Sequence, residues 1–169
     1  LVAGAVGAFV SIRAIANDTR AETILIWGIA LLLLAGEVVI GFQLLDPTFT
    51  PVFRSRAAEK MISGFFAHYN EAANYLIASS MLVGAAAVFG RHATATRILW
   101  LLIAVAGLAG VWFTRSRGGI LGAAIACGVL ATVALMIGKR REARWFAPML
   151  IAIPVIGLGV AAFLFQGWQ

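Results

Sequence analysis

The sequence predicts an all-α fold, a polytopic transmembrane bundle of about six spanning helices, and three observations predict it. Hydrophobic residues make up 62% of the chain and charged residues only 12%, far from the composition of soluble globular domains. The mean hydropathy is +0.98. The apolar residues gather into six runs that approach or reach the roughly 20 residues a bilayer-spanning helix needs, and none shows the period-two alternation of a membrane barrel. An open strand in lipid would leave backbone groups unpaired, so all six runs are expected to be helical. The 169 residues read as a single transmembrane domain. The chain starts at Leu1 inside one apolar run and stops at Gln169 just after another, which reads as a fragment of a longer polytopic protein.

The expected spans, in order, are residues 1–16, 23–45, 72–90, 98–113, 119–138 and 145–165. The first is read as a helix cut at its start and not as a signal peptide, because it has no basic leader and further spans follow. The second carries Glu37, about eight residues or roughly 12 Å from its outer end. A buried carboxylate must be neutralised, paired or hydrogen-bonded. Glu37 is therefore expected either to partner an outer arginine or accept a proton, or to stay protonated and bond a neighbouring helix. In the fifth span Gly119, Ala123, Cys127 and Ala131 make a stripe of small side chains, the usual device for close helix approach in membranes. Cys127 is the single cysteine and packs as a small residue. Pro154 is expected to kink the sixth span, eased by Gly157 and Gly159.

The net charge of +6 comes from 13 Lys and Arg spread over the connections between spans. That is a pattern of topology signals and contacts to anionic membrane lipids, not a nucleic-acid face. Lys139, Arg140, Arg141 and Arg144 form the densest short basic loop, which the positive-inside rule puts in the cytoplasm. Counting back from it places 114–118 outside, 91–97 inside, 46–71 outside and 17–22 inside, with Arg13 snorkelling from an inner helix end. Arg54, Arg56, Lys60, Arg115 and Arg117 then lie on the outer side against the topology rule, and an anionic ligand would account for them.

Pro47 and Pro51 interrupt the chain after the second span. Phe53, Ala57, Met61 and Phe65 then recur every four residues while Arg56 and Lys60 share another face, a pattern for a short amphipathic helix at the outer interface. That helix either grips lipid headgroups or faces a substrate. Beyond it His68, Asn70, Glu71 and Asn74 bring polar side chains to the entrance of the third span. Asn70 and Asn74 are one turn apart, and helix capping explains Asn70 as well as function does.

The sharpest stretch is Thr114-Arg115-Ser116-Arg117-Gly118-Gly119, between the fourth and fifth spans. Ser116 is placed to cap the fifth helix, and Gly118 and Gly119 leave its first amides unshielded. A helix N-terminus attracts anions, and the forks of Arg115 and Arg117 suit phosphate oxygens better than lysine would. The expected ligand is a phosphate or diphosphate arriving laterally on a lipid; otherwise both arginines anchor helix ends to headgroups.

Gly64-Phe65-Phe66-Ala67-His68-Tyr69-Asn70, with Ala73, Tyr75 and Leu76, resembles the glycine-aromatic-asparagine entry of the O-antigen ligase and polymerase superfamily. Thr114 to Gly119 is similar to that family's Ser-Arg-Gly helix entry, and Arg117 with Leu121 matches its arginine, three residues, leucine motif. The resemblance covers residues 64 to about 131. It implies a multi-pass glycosyltransferase of the bacterial plasma (inner) membrane, acting in lipopolysaccharide or other cell-envelope polysaccharide synthesis. Such an enzyme moves a glycan from an undecaprenyl-diphosphate carrier to lipid A core, a repeat unit or a protein, without cofactor or metal. It also implies Arg117 as the catalytic residue that neutralises the diphosphate, with Arg115, Ser116, Gly118, Gly119, Arg54 and Arg56 as further diphosphate contacts. Asn70, Asn74, His68 and Glu37 would support them. The family's downstream arginine and histidine motif lies beyond this chain, and His68 does not replace it. A transporter or exporter of an anion or lipid-linked sugar is the alternative reading, motivated by Glu37 and by arginines at span ends.

Overall fold

The computed structural model describes residues 19–46, 48–49 and 62–137. Among them are four α-helices: α1 Thr19–Leu45, α2 Tyr69–Phe89, α3 Thr94–Phe113 and α4 Arg117–Ile137. Each contains a segment long and apolar enough to cross a membrane. They correspond to the second through fifth expected spans. The runs at 1–16 and 145–165, the basic loop at 139–144, and Arg54, Arg56 and Lys60 lie outside the described residues. So does most of the expected interfacial helix, and Phe65 at its end sits in a turn instead.

The helices begin two to four residues earlier than hydropathy places them, because their first turns are polar. Arg20 and Glu22 open α1, Asn70 and Glu71 open α2, and Arg117 opens α4. A polar first turn stands at the headgroup level, where water and lipid oxygens are available, and still continues the backbone ladder. α1 ends at Leu45, just before Pro47 in the sequence, in keeping with the restriction proline puts on the residue before it. Asp46 then accepts hydrogen bonds from the Thr48 hydroxyl at 2.6 Å and the Thr48 amide at 2.9 Å. These bonds hold its carboxyl below the ordinary aspartate value, the hydroxyl contributing most.

α2 packs against all three other helices, most extensively against α3, while α1 and α4 lie on different sides of that pair. The shared core holds Leu33 of α1, Ala73, Leu76 and Val83 of α2, and Trp100, Ala104 and Val111 of α3. Trp100 is fully buried and meets Trp27 edge-on at 5.9 Å and His92 at 4.6 Å. In lipid there is no hydrophobic gain from helix association, so close contact has to come from small side chains. The stripe on α4 supplies it. Cys127, Ala131 and Ala134 face inward, and Ala131 and Ala134 pack with Val88 of α2. Leu121, Ile125 and Val129 project from the opposite face of α4.

The connection between α2 and α3 is tied by a residue that reads in the sequence as a loop charge. Arg97 is buried, and its Nε donates to the Ala87 carbonyl at 2.7 Å while a terminal nitrogen donates to Val88 at 3.2 Å. Those carbonyls belong to the last turn of α2, which has no intrahelical donors left for them. Arg97 thus caps α2 from the first turn of α3, with the cation at the negative end of the helix dipole.

Candidate functional site

The α3–α4 hairpin is built by its hydroxyls. Thr114 is fully buried; its Oγ1 donates to the Val111 carbonyl at 2.7 Å and accepts the Ser116 amide at 3.3 Å. Between them Arg115 takes a positive φ of 56°. That left-handed conformation costs a side-chain-bearing residue about 1 kcal/mol or more, and it reverses the chain within one residue. Ser116 then caps α4 as the sequence predicts, its Oγ accepting the Gly119 amide at 3.0 Å. The result is an alternation. Thr114 and Ser116 point in and hold the turn, while Arg115, Arg117 and Gly118 are exposed.

The buried serine also connects the two segments singled out in the sequence. Its hydroxyl donates to Asn70 Oδ1 at 2.7 Å, across 46 residues. The helices can approach this closely because position 119 is glycine; a Cβ there would lie 2.6 Å from that of Ala73. Around Gly118 no atom lies within 4 Å of where a Cβ would be, so the second residue of α4 faces open space.

On α2, His68 and not Asn70 caps the helix, its Nδ1 accepting the Asn70 amide at 3.2 Å. The His68 ring stacks on Tyr69 at 4.3 Å. Asn74 is exposed one turn after Asn70. The rest of the glycine-aromatic segment is occupied structurally. Gly64 has φ +59°, a conformation that glycine adopts without strain, and Phe66 packs on Tyr75 at 5.1 Å.

Gln43 holds that glycine turn, and sequence reasoning missed it. Its Oε1 accepts the amides of Ser63 at 3.1 Å and Gly64 at 2.9 Å, and its Nε2 donates to the Gly64 carbonyl at 3.0 Å. Gln43 is buried, and the signal for it was an amide side chain near the end of an apolar span, a position that demands a partner.

Glu37 stands apart from the hairpin residues. Its carboxyl lies against Gly110 of α3, and Oε1 is buried without a hydrogen-bond partner among the described residues. The arginine partner expected from the sequence is not found at that oxygen. Arg54 and Arg56 lie outside the described residues. Among the described residues no group of three or more His, Cys, Asp or Glu is placed to hold a metal ion.

No protein-family profile, no curated protein and no solved structure matches this chain. The functional reading therefore stands on the arrangement of the residues.

Proposed function

We propose that this protein is a membrane glycosyltransferase of the O-antigen ligase and polymerase type. In this reading it is a six-span bundle in the bacterial inner membrane, with residues 46–71 and 114–118 on the outer side. It transfers a glycan from undecaprenyl diphosphate to lipid A core, a repeat unit or a protein. One observation carries the reading: the Ser116–Asn70 hydrogen bond joins the two segments that resemble that family where the entrances of α2 and α4 meet. Two exposed arginines and an open glycine flank that bond. In the transfer, the bond from the anomeric carbon to the diphosphate breaks as the acceptor oxygen bonds to that carbon, the electron pair leaves with the diphosphate, and the acceptor hydroxyl releases its proton to water. Arg117 neutralises that developing charge, and the first amides of α4 add partial positive charge at the same end.

The test is transfer by the Arg117→Lys protein. Lysine keeps the charge but loses the two-pronged fork, so transfer is expected to drop by about tenfold or more, corresponding to about 1.4 kcal/mol or more of transition-state stabilisation. Transfer at the wild-type rate would remove Arg117 from the mechanism. The Glu37 carboxyl within α1, its Oε1 buried and without a partner among the described residues, favours a second reading, transport of an anion or lipid-linked sugar. Flux into vesicles containing purified protein, without covalent change to the sugar, separates transport from transfer.

A further inference from the structure

Two helices each send one polar group into the same glycine face of α3. Leu33 and Glu37 lie one turn apart on α1, and Gly107 and Gly110 lie one turn apart on α3. A Cβ at Gly110 would fall on Glu37 Oε1, 2.7 Å from its Cδ and 2.8 Å from Oε2. A Cβ at Gly107 would fall on Ser80 Oγ of α2, 2.8 Å from Leu33 Cδ1. The glycines thus leave room that a carboxyl and a hydroxyl fill. Ser80 is fully buried, and neither its Oγ nor Glu37 Oε1 has a hydrogen-bond partner among the described residues.

From this geometry we infer that Glu37 forms an ion-binding site inside the helix bundle whose ligand is a proton. An ionised carboxylate half-buried in an apolar span, with no cation beside it among the described residues, is costly, so the form that fits is the acid. Among the described residues few charged groups can alter that. The one ionisable side chain on α3 is Arg97, about 20 Å along the helix from Gly110 and engaged with α2. On α2 they are Tyr69 and Glu71 in the first turn and Tyr75, whose ring lies against Gly36 of α1. On α1 itself the others are Arg20 and Glu22, at its far end. The site lies one turn below the hairpin, since the Thr114 amide donates to the Gly110 carbonyl at 3.3 Å. The proton exchanges through that end of the bundle.

The experiment is modification of the whole chain, in lipid vesicles, by the apolar reagent dicyclohexylcarbodiimide. This reagent adds to protonated carboxyls in apolar surroundings, and the adduct is located by peptide mass mapping. One adduct is expected at Glu37, its rate falling about tenfold for each pH unit above a midpoint and indifferent to sodium. Glu37→Gln should carry no adduct, and the wild-type map decides the question even if that variant folds poorly. Absence of an adduct at every pH, or a rate that does not vary with pH, overturns the inference. Protection by sodium at constant pH overturns it in favour of a metal cation.

Discussion

At Arg115 the backbone and the side chain make opposite demands. The left-handed φ of 56° suits glycine, while the exposed guanidinium is what an anion would want. Arg115→Gly is therefore expected to hold or raise thermal stability, by up to about 1 kcal/mol, while lowering glycan transfer; Arg115→Val should lower stability by at least that much. Thermal unfolding in detergent alongside a transfer assay reads both effects. Ser116 carries two bonds, so Ser116→Ala should cost about 1–2 kcal/mol. A double-mutant cycle with Asn70→Ala should isolate a coupling of about 0.5–1.5 kcal/mol, and zero coupling would mean the contact is idle. The serine's capping role was legible because a hydroxyl three residues before an unshielded amide is a local signature. Its bond to Asn70 was not legible, because nothing local records a contact across 46 residues. The strain at Arg115 was hidden by its residue type, since arginine gives no sign of a positive φ.

The elements themselves were legible wherever hydropathy alone decides them. The four described spans appear where the apolar runs lie, and only their polar first turns were read as connection. Charge misled the reading once. Arg97 looks like part of an inner loop, yet its guanidinium is consumed by the Ala87 and Val88 carbonyls. Arg97→Met is expected to destabilise the α2–α3 pair by about 2–3 kcal/mol, through carbonyls left without a charged donor. Arg91→Met, at an exposed site, should change stability by less than about 0.5 kcal/mol. Chemical or thermal unfolding of the two variants side by side checks the difference, and equal losses would refute the cap.

For the whole molecule, the proposed reaction depends on which side of the membrane the hairpin occupies. Ser116 is a poor reporter because it is buried and bonded, whereas Gly118 is open and Arg91 is exposed at the opposite end of α3. In a Cys127→Ala background, a membrane-impermeant thiol reagent on intact cells is expected to label Gly118→Cys and not Arg91→Cys. The reverse pattern would put the arginines in the cytoplasm and end the glycosyltransferase reading. The Gln43 clamp bears on the molecule at the same scale. By gripping Ser63 and Gly64 from the end of α1, one side chain fixes the two ends of the segment between residues 46 and 62. Once the ends are fixed, the entropy of the segment between them varies only with the logarithm of its length, about 0.6 kcal/mol per doubling. The sequence of that segment can thus change, by insertion of a tag or exchange of a recognition sequence, while α1 and α2 keep their register.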